Sequence, residues 1–367
     1  MALKAGIVGL PNVGKSTLFN AITNSHVEAA NYPFATINPN SGIVEVNDPR
    51  FDELVKLFNP KKQVKATFEF TDIAGLVKGA SKGEGLGNQF LGNIRMCDAI
   101  CHVVRCFENN EIIHVENTID PARDIEIINL ELVFADLDTV TKRIAKVETK
   151  AHTTKEKSAV MEFNILSKIK KALDDGLPAR SVDINDEEAL LIKNFSLLTM
   201  KPVIYVANVS EEDYADPDSC KYYQVVKEIA QREKAQCLPI CANIEEELSS
   251  LPIQEKIEYL QALGVNSTGL DRLVNSAYKL LNLSTFFTVG EDEVRAWTFT
   301  NGMSAPNCAG TIHTDFEKGF IRAEVYSCND IFEYKTEKAL KEAGKIRSEG
   351  KTYLVQDGDC MLIRFNV

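Results

Sequence analysis

The sequence predicts an α/β protein in which a parallel sheet wound with helices is broken by a helical insertion and followed by a smaller α+β tail. Three observations carry this. Short apolar runs alternate with helical stretches through the first half. One interval between two such runs is too long for a simple crossover and repeats apolar residues in sevens. From residue 285 onward, β-type runs are divided by Gly, Asn and Asp turns.

Taken in order, strands are expected at 3–8, 43–46, 67–71, 99–104, 203–207 and 238–241. Between the fourth and fifth, Val133, Leu137, Val140, Ile144 and Val147 recur at alternating spacings of four and three, a heptad seam. Val160, Phe163, Leu166, Ile169 and Leu173 mark a second helix. Gly176 and Pro178 interrupt it before a third apolar helix through Leu190 and Leu198. A helical hairpin inserted into the α/β domain is favoured over an ordinary amphipathic crossover, which would rarely need this length. After a helix at 270–283, the tail should hold strands at 286–289, 296–299, 320–325 and 361–365, with one helix at 337–343 among them. The expected divisions are 1–124 with 200–282 for the core, 125–199 for the insertion and 283–367 for the tail.

Composition bounds the function. A chain of 367 residues suggests two or three domains at about 150 residues each. With 44% hydrophobic and 26% charged residues it is ordinary globular material, which argues against wholesale disorder. No apolar run approaches the ~18 residues needed to cross a bilayer. The start, MALKAGIVGL, enters a glycine loop at once and leaves no room for a secretory signal, so a cytoplasmic location is expected. Nine cysteines, an odd number, do not form a disulfide framework. Cys97, Cys101, His102 and Cys106 invite a metal reading, but neighbours on a strand point to opposite faces, so Cys101 and His102 cannot converge on one ion. They read as core. The formal charge of −12 speaks against a protein basic throughout. Residues 138–175 depart from it, with nine basic side chains against six acidic. Attraction to a polyanion follows the local field, so this arm is a candidate nucleic-acid contact, with a solvated charged helix face as the alternative.

The chemistry begins at Gly9-Leu10-Pro11-Asn12-Val13-Gly14-Lys15-Ser16, which fits GxxxxGK[ST] between an expected strand and an expected helix. In such a P-loop the glycines let backbone N–H groups cradle phosphate oxygens, and the helix N-terminus adds positive potential. Lys15 reaches the β/γ-phosphates and the Ser16 hydroxyl can ligate Mg²⁺. Asp72-Ile73-Ala74-Gly75 ends the third expected strand, where Asp72 can hold a water of the Mg²⁺ shell and Gly75 N–H can approach a γ-phosphate. The glycines that follow, through Gly87, suit a segment reordered by nucleotide. Thr36, in Tyr32-Pro33-Phe34-Ala35-Thr36, is favoured over Thr23 to complete the metal shell.

A guanine-reading loop would be Asn-Lys-x-Asp, whose carboxylate accepts from guanine N1–H and the 2-amino group. Here the chain reads Asn208-Val209-Ser210-Glu211. Adenine offers neither donor, whereas an Asn amide can read its N6/N7 edge, so the departure favours ATP over GTP. A degenerate guanine loop is the alternative. Leu76 follows the DxxG element, where related switches use a glutamine to place the attacking water. His114, beyond the fourth expected strand, could polarise water as a neutral imidazole, or it could be a packed histidine.

The set GLPNVGKST, NYPFAT, DIAG followed by leucine, NVSE and CAGTIHTDFEKGFIRAEV resembles the YchF/Obg-like ATPase family over nearly the whole chain. The resemblance implies a G-protein-like P-loop NTPase core of the Obg type, a coiled-coil insertion and a C-terminal TGS domain of β-grasp type. It implies a slow, Mg²⁺-dependent ATPase that prefers ATP to GTP, switches with nucleotide and associates with the ribosome. Contact would fall on the large subunit and its rRNA, without DNA specificity or a membrane. Carried over by position, Asn12, Val13, Gly14, Lys15, Ser16 and Thr17 would bind phosphate, with Ser16 and Thr36 on Mg²⁺. Asn208 and Val209, with Phe107, would hold adenine. His114 would stand in for the missing glutamine, and Asn12 could take a stimulating K⁺. Val209 replaces the leucine common at its position, and Ala35 replaces a cysteine that is redox-reactive in some members. A GTPase of the Obg type and a non-hydrolysing, nucleotide-ordered adaptor are the rival readings.

Overall fold

The computed structural model describes residues 3–24, 40–73, 86–154 and 156–366. Its strands in chain order are β1 (Lys4–Val8), β2 (Ser41–Glu45), β3 (Lys62–Val64), β4 (Thr67–Asp72), β5 (Ala99–Arg105), β6 (Val203–Asn208), β7 (Gln236–Ile240), β8 (Leu283–Val289), β9 (Glu293–Thr300), β10 (Phe320–Ser327), β11 (Arg347–Glu349) and β12 (Asp359–Phe365). They form two sheets, ordered β2-β4-β1-β5-β6-β7 and β11-β10-β12-β8-β9-β3. The described residues up to 24, at 40–42 and at 69–272 pack as one unit. Those at 43–68 and 273–366 pack as a second.

The first sheet holds all six strands expected of the core. β1 pairs in parallel with β4 on one side and β5 on the other, β6 follows β5, and β7 follows β6. Every residue of β5 and β6 is buried, which is why their sequences are nearly continuous apolar runs rather than alternating ones. Strand order reverses at β1, and a crevice for ligand opens beyond the carboxyl ends of strands at such a reversal. The glycine loop leaves β1 there.

The insertion is a helical hairpin. Asp120 caps the helix Pro121–Thr149, with Pro121 at its first position, where a missing N–H costs nothing. A π-helical turn, Lys150–Thr154, leads toward the return helix Lys157–Asp174. Val133, Val140 and Val147 pack with Ile165, Leu166, Ile169 and Leu173, and Leu137 and Ile144 pack against them, so the heptad seam is the hairpin's core. Gly176, in the left-handed region, closes the return helix. The third helix differs from expectation: it is the short Asp186–Ile192, and Leu190 is 70% exposed. Leu198 is buried instead in a separate 3₁₀ turn, Leu198–Met200, whose N–H groups donate to buried Asp136 at 2.8 and 2.7 Å. The buried carboxylate anchors this turn, while Ile192 and Leu197 still pack into the hairpin's core.

The second unit contains the four expected tail strands and the helix Glu337–Glu342. It also contains helices that were not expected: Ala305–Ile312, Thr314–Lys318 and Cys328–Tyr334. Pro, Gly and Thr obscure helical periodicity in Ala305–Ile312, where tertiary burial of Ala305, Cys308 and Ala309 supplies what propensity lacks, and the other two helices, of five and seven residues, are too short to show a period. β3, too short and polar to be legible, pairs in parallel with β9. Arg50 joins the two parts of this unit, forking between Asp48 at 2.7 Å and Asp357 at 2.8 Å.

Candidate functional site

Loop 9–14 links β1 to the helix Lys15–Asn24 under tight steric control. A Cβ at Gly9 would lie 2.4 Å from Val103 O, and one at Gly14 would lie 2.1 Å from Asn208 Nδ2. Gly14 also has φ 98°, and Asn12 reaches the left-handed region at 61°. The loop therefore curls back on the sheet. Lys15 is buried, its Nζ donating to Leu10 O at 2.7 Å. Burial lowers its pKa to about 8, while Asp72 pulls in the opposite direction. Ser16 is exposed and Thr17 half-buried on the first helical turn.

Asp72 ends β4. Burial pushes its carboxyl group upward in pKa, against the pull of Lys15. Its Oδ1 is buried and has no hydrogen-bond partner among the described residues, and neither does the neighbouring Thr71 Oγ1. A buried carboxylate oxygen left unpaired is costly, and a water of a divalent-cation shell would satisfy it. The donor set of Ser16 Oγ and Asp72 thus fits Mg²⁺. Thr36, the Gly75 N–H and Leu76 lie outside the described residues, as does Ala35.

Asn208, at the end of β6, is buried with both amide atoms engaged: Nδ2 donates to Val13 O at 2.9 Å and Oδ1 accepts from Ala242 N at 3.0 Å. It braces the phosphate loop against the helix Ala242–Ser250. Beyond these two bonds an amide has one further hydrogen and one further lone pair. Val209 is buried beside it, its N–H donating to Ile240 O at 2.9 Å. Ser210 then caps the short helix Glu211–Tyr214, and Glu211 faces solvent.

His114 lies on the loop after β5, and that loop touches the P-loop: Asn12 Nδ2 donates to Ile113 O at 3.1 Å. The histidine itself is turned inward and only 5% exposed. Its Nδ1 accepts from Glu116 N at 3.2 Å, so Nε2 carries the proton and donates to Asp124 Oδ2 at 2.9 Å. Asp124 also accepts from Arg123 Nε and Nη2 at 3.1 and 2.9 Å. Burial raises the Asp124 pKa, against the pull of Arg123 and His114.

Sequence reasoning missed Arg105. It closes the run AICHVV, is 1% exposed, and donates to Phe107 O at 3.2 Å, Asn109 O at 3.0 Å and Ile112 O at 3.0 Å. Its guanidinium covers the Phe107 ring at 4.6 Å. A charged residue at the end of an otherwise apolar strand is the signal that could have found it. The cysteines at 97, 101 and 106 are buried free thiols.

No helix among the described residues is long and apolar enough to cross a membrane. Comparison with known proteins extends this picture. A family model described as "50S ribosome-binding GTPase" matches residues 4–134. The model YchF-GTPase_C, described as "Protein of unknown function (DUF933)", matches residues 283–366. Over the full length of both chains, the sequence is 57% identical to the "Ribosome-binding ATPase YchF" of Bacillus subtilis. It is 53% identical, again over both full lengths, to the protein of the same name from Pasteurella multocida. The backbone matches the "Structure of the Schizosaccharomyces pombe YchF GTPase" with a TM-score of 0.89 at 42% identity, covering 99% of this chain and 97% of that one.

Proposed function

Because the chain belongs to the YchF family of P-loop nucleotide hydrolases, we propose that it is a slow, Mg²⁺-dependent ATPase that binds the ribosome and switches with its nucleotide. The observation that carries the hydrolase reading is the glycine loop closed at Gly9 and Gly14 and followed by buried Lys15, with Asp72 Oδ1 lacking a hydrogen-bond partner among the described residues. The names of the relatives support ATP as substrate and the ribosome as partner. The base loop supports ATP independently: no aspartate stands where guanine would donate, and Asn208 keeps one donor and one acceptor for adenine. Phe107 and Val209 would supply the apolar contact to the ring.

In this reading backbone N–H groups of 12–17 wrap the phosphates, and Lys15 neutralises charge that develops on the β/γ oxygens. Mg²⁺ held by Ser16, Thr36 and a water on Asp72 would add Lewis-acid charge stabilisation. Asn12, whose amide nitrogen is committed to Ile113 O, would offer its side-chain oxygen to K⁺. Water adds to the γ-phosphorus as the bond to the ADP oxygen breaks, and its protons leave with phosphate and solvent. His114 would place that water through a ring nitrogen. The hairpin, with its excess of basic residues, and the C-terminal unit, proposed as a TGS domain, are the proposed ribosomal contacts, reaching the large subunit and its rRNA.

Three measurements test this. Phosphate release must exceed that of Lys15→Ala, or the protein is a nucleotide-ordered adaptor. ATP must outcompete GTP, since tighter GTP binding overturns the reading of residues 208–211. Co-sedimentation with ribosomes, with and without ATP, tests the partner.

A further inference from the structure

We infer that Asp124 is a positioning residue that holds His114 retracted, and that hydrolysis requires this pair to part. The inference rests on the reading of His114 as the group that places water. In the described state neither ring nitrogen is free: Nε2 faces Asp124 and Nδ1 faces the Glu116 N–H. An imidazole with both nitrogens engaged and 5% exposure has no atom with which to hold a water.

The surroundings fix this state from several sides. Arg123 clasps Asp124 Oδ1 through Nε and Nη2, which aims Oδ2 at the ring. Arg123 is itself held by Thr118, at 2.8 Å to Oγ1 and 2.6 Å to the carbonyl. Arg105 fixes the base of the loop through three carbonyls. Asn12 holds Ile113, next to the histidine, from the phosphate loop. Two of these attachments lie on parts with other tasks. Asn12 belongs to the loop that receives phosphate. Asp124 stands in the first turn of Pro121–Thr149, the helix that continues without a break into the hairpin. A displacement of either changes the separation of His114 from Asp124, and a hydrogen bond at 2.9 Å is lost beyond ~3.5 Å.

Asp124→Asn tests the idea with minimal change of shape. The amide oxygen is needed by Arg123, so the amide NH₂ faces the Nε2–H, donor against donor. The other histidine tautomer only moves the conflict to the Glu116 N–H. Steady-state and single-turnover ATP hydrolysis would be measured for the full-length protein, Asp124→Asn, His114→Ala and the double variant. The expected result is a kcat about fivefold higher in Asp124→Asn with KM within about twofold, as loss of one buried hydrogen bond shifts the population of free histidine. The gain must vanish in the double variant. An unchanged kcat, or one that falls to the His114→Ala level, overturns the proposal, the latter by making Asp124 a support of the working state. If His114→Ala hydrolyses like the wild type, the reading of His114 fails instead. A second measurement does not depend on how Asp124→Asn folds. Imidazole ¹⁵N spectra of the wild type, with His114 assigned by its absence in His114→Ala, should show the Nε2–H tautomer without nucleotide. That pattern should be lost with Mg²⁺ and a non-hydrolysable ATP analogue. Its persistence overturns the proposal.

Discussion

The phosphate loop and the loop that carries His114 meet at one hydrogen bond, from Asn12 to Ile113, yet they are held by different means. The first is shaped by what is missing: no Cβ fits at Gly9 or Gly14, and the chain has no other way round. The second is shaped by buried charge, with Arg105 spread over three carbonyls and Asp124 between an arginine and an imidazole. Steric exclusion is local and rigid. Buried charge can be satisfied in more than one way, so the second loop is the part suited to change state.

The largest effect should come from the rigid side. Gly14→Ala would drive a Cβ to 2.1 Å from Asn208 Nδ2 at a φ of 98°, and nucleotide affinity should fall at least ~100-fold in a calorimetric titration. Asn208→Ala sharpens the comparison, because it leaves Val13 O and Ala242 N unpaired. A loss of about 2–4 kcal/mol in chemical denaturation is expected, with weaker nucleotide binding. Arg105→Met probes the other side. Amide exchange should quicken across residues 107–114 while the helix Lys15–Asn24 keeps its protection, and equal loss in both would erase the distinction. The smallest effect is a pH dependence. Lys15 has its pKa lowered to about 8 by burial, and bound phosphate should raise it again. Binding is then fully supported below pH ~8 and weakens as pH rises through and beyond that value, with proton uptake on binding near pH 8.

The same contrast explains what could be read in advance. The glycine loop, the strand before it, the helix after it and the heptad seam from Val133 to Val147 are local patterns, and they lie where expected. His114 was legible as a residue beyond a strand, but its inward orientation depends on Asp124, ten residues on, and on the backbone of Glu116. Arg105 was hidden because its partners are carbonyl oxygens, which every sequence has. Asn208 stood out only as the first residue of the proposed base loop, and its bonds to Val13 and Ala242 depend on chain segments far from it in sequence. The tail helices from Ala305 onward were obscured by weak propensity.

The edge strand β3 carries a consequence for how the molecule is made. Lys61 and Asp292, which pair beside it, are 231 positions apart, and Arg50 must find Asp357 across a longer interval still. The amino-terminal partner leaves the synthesis machinery early and has no neighbour to pair with until almost the entire chain has followed. During that interval its open backbone is exposed to wrong pairings, a cost typical of contacts between distant segments. A fragment cut at residue 283 would inherit the mirror problem, with β9 lacking its neighbour and Asp357 lacking its cation. The carboxyl-terminal unit therefore draws part of its framework from residues 43–68, although most of its residues are contiguous.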